Sequence, residues 1–359
     1  MKIALVVHDL HEQGGHSLYT RVLADELSSR HQVTVFASRC ERPNNALWDF
    51  CQVRAWRKNA LASVQTFPLG IKALSSRLAD FDIRHMQGYC GGRPNVVTAH
   101  ICVAAYLESV RAVRARNRAS LALMAAAEGR FYRGYRGHVI AVSEKIAHEL
   151  RDFYHVIGSI SVIPHGVDAA RFQTPERERY RSEVRTELGL SDEQTLALYV
   201  GDLTKAHVHL KALADAAPQV QFVVISRSAQ YRWQLPGNSN VHFLPPTGEL
   251  ERYYAAADAF VYPTTYDAFG MVVLEAMASG LAVFSSDRAG ASELIHSGRD
   301  GFVIPLDDWV AATAVRLRDR EGLRAMSREA EQTARLHDWP TVVREVEQVY
   351  FQAAADPNV

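Results

Sequence analysis

The strongest constraint on the fold is a strand-then-helix alternation that runs through the chain and restarts halfway along it. Short β-rich runs, IALVV (3–7), VTVFA (33–37), VVTAH (96–100), HVIAVS (138–143) and ISVIP (160–164), alternate with longer stretches of helical spacing such as SLYTRVLADELSSR (17–30). Each strand therefore returns to its sheet in parallel through a right-handed crossover. After a charged stretch from Thr174 to Gln194 the pattern begins again, with LALYVG (196–201), QFVVIS (221–226), VHFL (241–244), AFVYP (259–263), LAVFSS (281–286) and GFVIP (301–305). A length of 359 residues exceeds what one hydrophobic core usually supports. The expectation is an α/β chain of two Rossmann-like domains facing across a cleft, with ligands at the carboxyl ends of the strands. The expected division is 1–164 and 165–339, with 340–359 returning to the first domain. The final run from Trp339 has apolar residues at 339, 342, 343, 346, 349 and 350, a helical stripe that needs a surface to cover.

Composition narrows the class of partner. Forty basic and forty acidic side chains cancel and nearly half the residues are apolar, which argues against a disordered chain and against indiscriminate nucleic-acid binding. Cys40, Cys51, Cys90 and Cys102 form no CxxC pair, so neither a zinc site nor a disulfide framework is expected, and reduced thiols in a cytoplasmic protein are. MKIALVVH is too short an apolar run for a signal peptide, and no segment approaches the roughly 18 to 20 apolar residues of a membrane span.

The segment YDAFGMVVLEAMASG (266–280) carries the chemistry. It reads as a polar turn followed by a helix that Gly280 stops, so residues from Phe269 to Val272 offer the unpaired N–H groups of a helix start, an anion site. Gly270 lets a ligand approach the backbone closely. Glu275, amid Val, Leu, Ala and Met, needs hydrogen-bond donors, which ribose hydroxyls would supply. Read from spacing alone, a structural Glu275 and a turn-forming Asp267 are equally open.

PTTYDAFGMVVLEAMASGLAV is similar to the E-x7-E segment of retaining glycosyltransferases of the GT-B fold, family GT4, usually PSxxExFGxxxLEAMAxGxPV. AVSEKIAHEL (141–150), VIPHGVDAARF (162–172), AGASELIHSGRDGFVIP (289–305) and DIRHMQG (82–88) resemble further family segments, in family order over nearly the whole chain. The resemblance implies transfer of a sugar from a nucleotide-diphosphate sugar, UDP ahead of GDP, to an acceptor hydroxyl, in polysaccharide, lipid-linked glycan or glycoconjugate synthesis. It also implies that no metal or other cofactor is needed. Glu275 matches the glutamate that holds the ribose, and Asp267 the acid near the donor sugar, here one methylene shorter. Gly270, Met271 and Val272 would offer N–H groups to the diphosphate, with Phe269 beside them. In GDLTKAH, Gly201 and Lys205 match the family motif, while Asp202 stands where an arginine is usual; Arg227 is the candidate replacement cation, set against a plain surface charge. Catalytic roles fall to Asp267, His100 and Lys205.

On the amino-terminal half, Gly14 and Gly15 match the family's acceptor-side glycine loop, and His100 matches a histidine near the donor sugar hydroxyls. The loop lacks GxGxxG and no acidic residue ends the second strand, which argues against a nicotinamide oxidoreductase. His8, His11 and His16, and His207 with His209, cluster without a carboxylate triad, so no metal site is expected. Residues 107–136 hold seven arginines against Glu108 and Glu128. Such a stretch suits an anionic membrane surface, giving a peripheral protein at the inner membrane face, or an ordinary charged helical face. The departures at Asp202 and Asp267 keep open a GT-B-like nucleotide-sugar binder without turnover.

Overall fold

Runs such as Ile3, Ala4, Leu5 and Val6 are wholly buried, as expected of strands covered by helices on both faces. In the computed structural model, which describes residues 1–11, 14–56, 60–109, 115–173, 175–228 and 240–356, they form two parallel sheets. The first contains β1 (Lys2–Val6), β2 (Gln32–Ala37), β3 (Asp49–Gln52), β4 (Ile83–Gln87), β5 (Val96–Ala99), β6 (His138–Ala141) and β7 (Ile160–Val162), in the order β3-β2-β1-β4-β5-β6-β7. Register is set by pairs such as Ile3 with Val33 and Ile83. Strand β3 is an addition to the sequence reading. Its residues DFCQ lie at the sheet edge with Cys51 alone buried, so no apolar run announces them.

The second sheet contains β8 (Leu196–Val200), β9 (Gln221–Ile225), β10 (Val241–Leu244), β11 (Ala259–Tyr262), β12 (Ala282–Ser286) and β13 (Gly301–Ile304), ordered β10-β9-β8-β11-β12-β13. The chain divides into one unit of Met1–His165 with Trp339–Val359 and another of Gly166–Asp338. The C-terminal helix Trp339–Ala355 buries Val342, Val343, Val346, Val349 and Tyr350, the stripe that the sequence marks. His31 Nε2 lies 2.6 Å from Glu347 Oε1 and fastens its outer face to the first unit.

The charged stretch before β8 is itself a helix, Arg177–Glu187. Arg185 is 2% exposed, and its guanidinium donates to Ala256 O at 2.9 Å, Ser191 O at 2.9 Å and Asp258 Oδ2 at 3.4 Å. A buried cation with that many acceptors fixes the helix against the amino end of the sheet, and loss of the acceptors would leave an uncompensated charge. Among the described residues no helix is long and apolar enough to cross a membrane, and all four cysteines are free of disulfides.

Candidate functional site

In each sheet the strand order reverses once, between β1 and β4 and between β8 and β11. Loops leave in opposite directions there and open a crevice at the carboxyl ends. In the second unit those loops carry Gly201 to Lys205 after β8 and Pro263 to Gly270 after β11. They are stitched together, because Thr265 N–H donates to Lys205 O at 3.0 Å. Asp267 N–H to Arg288 O (3.0 Å) and Ala291 N–H to Phe269 O (2.7 Å) tie the second loop to the next turn.

This backbone brings Lys205 and Asp267 together. Lys205 Nζ lies 3.7 Å from Asp267 Oδ2, and both side chains are a quarter exposed. Tyr262 O–H donates to the same oxygen at 2.8 Å, and Phe269 N–H donates to Oδ1 at 3.3 Å. Gly270 follows with φ +91°, and a Cβ there would stand 3.2 Å from the Tyr262 ring, so the left-handed turn and the close aromatic both require glycine. Helix Met271–Ala278 begins at once. The N–H groups of Met271 and Val272 have no preceding turn to receive them, which leaves partial positive charge beside Lys205.

Glu275 lies one turn into that helix and is half-buried. Burial pushes its carboxyl above the usual range, opposed by the Tyr254 hydroxyl, which donates to Oε2 at 3.0 Å, and by the charge of Arg171. Arg171 is itself directed at Glu251 Oε2 and Gly248 O, both at 2.8 Å from Nη2. A pocket of about 500 Å³ at the carboxyl ends of β8 and β9 is lined by Gly201, Asp202, Arg227, Ser228, Thr247 and Leu250, among others. Asp202 does not stand as a bare acid facing it. Its Oδ1 accepts Ser228 Oγ–H at 2.7 Å and Thr204 N–H at 3.0 Å, capping the 3-10 turn Leu203–Lys205. Partial desolvation opposes its ionisation, yet these bonds and the nearby Lys205 charge hold its pKa below the usual value. Arg227 is exposed at the rim.

The first unit uses the same position differently. Gly14, with φ +108°, starts helix Gly15–Leu27, and a pocket of about 410 Å³ is lined by His8, Asp9, His11, Gly14, Gly15 and Gln87, among others. Glu12 and Gln13 of this loop lie outside the described residues. His100 follows β5 and is 5% exposed. Its ring stacks on His165 (centroids 5.3 Å, 16°) and lies 4.3 Å from His16, while the Tyr19 ring meets both His100 and His165 edge-on. Burial, reinforced by the imidazoles of His16, His165 and His85, drives the His100 pKa well down. Burial likewise lowers His165 to about 3, and lowers His8 to about 4 despite Asp9 beside it. These rings are neutral at pH 7. His165 and Gln87 were not singled out by sequence; they stand inside the quoted segments VIPHGVD and DIRHMQG, where their clustering has no local signal, while His16, which the sequence groups with His8 and His11, packs on the His100 ring. Among the described residues no group of three or more His, Cys, Asp or Glu is placed to hold a metal ion.

Comparison with known proteins gives this arrangement its family. Residues 13–171 match the model described as Glycosyltransferase Family 4, and residues 194–319 match that of Glycosyl transferases group 1. The chain belongs to glycosyltransferase family 4, group 1, with the two Rossmann-like domains of the GT-B fold. It is 28% identical to the D-inositol 3-phosphate glycosyltransferase of Nocardia farcinica over 54% of this chain and 48% of that protein; it thus spans about half the length of the curated relatives it matches. The crystal structure of WaaG, a glycosyltransferase involved in lipopolysaccharide biosynthesis, superposes with a TM-score of 0.78 at 18% identity, covering 97% of this chain and 99% of WaaG. Anabaena HepE in complex with UDP and glucose superposes with a TM-score of 0.72 at 19% identity over 97% of this chain and 98% of HepE.

Proposed function

We propose that this chain transfers a sugar from a nucleotide-diphosphate sugar to an acceptor hydroxyl with retention at the anomeric carbon, in building a polysaccharide, lipid-linked glycan or glycoconjugate. The observation that carries the reading is the convergence of Lys205, Asp267 and the helix start at Gly270 on the crevice of the second unit, with Glu275 one turn inside. As the bond from the anomeric carbon to the β-phosphate breaks, negative charge grows on the leaving oxygen. Lys205 and the N–H groups of Met271 and Val272 stabilise it without rearrangement. Two ribose hydroxyls donating to Glu275 offset the cost of its burial. Asp267, already held by Tyr262 and Phe269, orients Lys205 and faces the donor sugar.

The acceptor oxygen bonds to the anomeric carbon on the face the phosphate leaves, and its proton passes to the phosphate oxygen. No protein base and no metal ion is required in this scheme, since Lys205 and the helix start supply the positive charge. UDP is preferred over GDP, supported by the UDP-bound HepE of the same fold. His100 meets donor-sugar hydroxyls, and Gly14 and Gly15 border the acceptor. Helix Ala115–Gly134 turns Arg118, Arg130, Arg133 and Leu123 to solvent, and we assign this face to an anionic membrane surface; residues 110–114 of the basic stretch lie outside the described residues.

The competing reading, a nucleotide-sugar binder without turnover, draws on Asp202 and Asp267. Hydrogen bonds from Ser228 and Thr204 to Asp202 count against it, because they engage the carboxylate locally. The test is incubation with UDP-sugars and hydroxyl acceptors in the presence of a chelator, with product stereochemistry read by NMR. An α-linked product from an α-linked donor supports the proposal; inversion, or turnover that stops with the chelator, refutes the corresponding part.

A further inference from the structure

Strand geometry places His85, Gln87 and Thr98 on one face of the first sheet. Gln87 and His85 are two residues apart on β4, and the parallel register sets Gln87 opposite Thr98. His100, two residues beyond Thr98, continues that face, and the C-terminal helix brings Tyr350 to it. The polar atoms join in one buried chain. His100 Nε2 is 2.8 Å from Gln87 Oε1, Gln87 Nε2 is 3.4 Å from His85 Nε2, and His85 Nε2 is 2.7 Å from Thr98 Oγ1. His85 Nδ1 is 2.7 Å from Tyr350 Oη, and Thr98 Oγ1 is 3.4 Å from Tyr19 Oη. Gln87, His85, Thr98, Tyr19 and Tyr350 are all at most 4% exposed.

A chain like this can run in either of two directions. In one, His100 donates from Nε2 to the Gln87 carbonyl oxygen, the Gln87 amide N–H points to His85 Nε2, and His85 donates from Nδ1 to Tyr350. Turning the amide over reverses every step and moves the His100 proton to Nδ1. The two are separated by the other side of the His100 ring, where Nδ1 is buried and has no partner among the described residues. A proton there would make an orphaned buried N–H, whereas a bare lone pair is the milder defect.

We propose that Gln87 is a positioning residue that holds the proton of His100 on Nε2 and leaves Nδ1 a bare lone pair. The tautomer follows from packing alone, while its use in transfer rests on the glycosyltransferase reading above. Tyr350 adds an anchor from the far end of the sequence, since its oxygen fixes His85, which faces the Gln87 amide.

The test is nitrogen NMR of the ring atoms of His100, in the full chain labelled at histidine, together with steady-state transfer. The wild type is expected to show Nε2 protonated and Nδ1 bare at pH 7. Gln87→Leu is expected to mix the tautomers and to lower kcat about tenfold, the scale of one hydrogen bond, with donor KM within about twofold. Gln87→Glu keeps an oxygen toward Nε2–H, so it is expected to restore the tautomer and most of kcat, which a simple packing defect would not allow. A wild-type proton on Nδ1, or a folded Gln87→Leu variant with unchanged kcat, overturns the proposal. If the wild type transfers no sugar, the function reading fails on that assay while the spectrum still decides the tautomer.

Discussion

The two units share one strand order, an outer strand, two inward, a reversal, then four outward in the first and three in the second, yet their crevices differ in charge. In the second unit Lys205 and Asp267 meet ahead of a helix that carries Glu275, and Asp202 and Arg227 line a pocket of the same unit. In the first, His8, His100 and His165 are held neutral by burial, and His100 joins a buried hydrogen-bond chain through Gln87. Topology fixes where a ligand is met; side chains fix what it must be. A crevice with fixed positive groups answers a leaving phosphate, and one with neutral acceptors answers hydroxyls.

Acid should separate the units most strongly. His85 and His165 are lowered to about 3 and His8 to about 4, so below pH 6.5 the unfolded chain binds protons that the folded unit does not. Stability of the first unit therefore falls as pH falls from 6.5 toward 4, by several kcal/mol on a scale of about 1.4 kcal/mol per pKa unit. In the second unit His209, His242 and His337 are less buried, and the raised carboxyl of Glu275 acts in the opposite sense. Hydrogen exchange at pH 7 and pH 4.5 should show protection lost first in β4 and β5; simultaneous loss in both sheets would dissolve the contrast.

Next in size is Lys205→Ala. Removal of one preorganised positive group should lower kcat by about 100-fold or more while the melting temperature stays close to wild type. A fall of less than about fivefold would move the charge stabilisation elsewhere, with Arg227→Ala as the comparison. Gly270→Ala follows, because a side chain at φ +91° and 3.2 Å from Tyr262 should destabilise by about 1 to 2 kcal/mol and displace the helix start. Urea unfolding measures it.

The smallest effect lies at the buried carboxyl of Glu128. Glu128 Oε2 accepts Val103 N–H at 2.9 Å and Tyr154 O–H at 2.7 Å, and burial pushes its pKa up to about 7. The folded state therefore holds this proton more tightly than the unfolded chain, and its contribution is lost as pH rises from about 4.5 to about 7. Glu128→Gln keeps an acceptor without the charge and should raise stability at pH 8 by about 1 kcal/mol. No change between pH 5 and pH 8 in the difference between variant and wild type would contradict the buried acid.

Much of this was legible in the sequence because it is local. The alternating runs became strands in both sheets, and YDAFGMVVLEAMASG became the turn and helix its residues prescribe. What sequence did not reveal depends on partners far along the chain. The fate of Asp202 hangs on Ser228, which is 26 positions away, and the His100 chain ends at Tyr350, which meets His85 across 265 positions. Strand β3 escaped notice for a different reason: an edge strand with one buried residue carries almost no apolar pattern.

The central claim is that the second unit's crevice is a nucleotide-sugar site with the ribose at Glu275. Isothermal calorimetry of the wild type and of Glu275→Ala against UDP, GDP, ADP and TDP, without added metal, tests it most directly. Binding of one nucleotide by the wild type, UDP by expectation, and its loss in the folded variant is the predicted result. No nucleotide binding to the wild type, or equal binding by the variant, would contradict it.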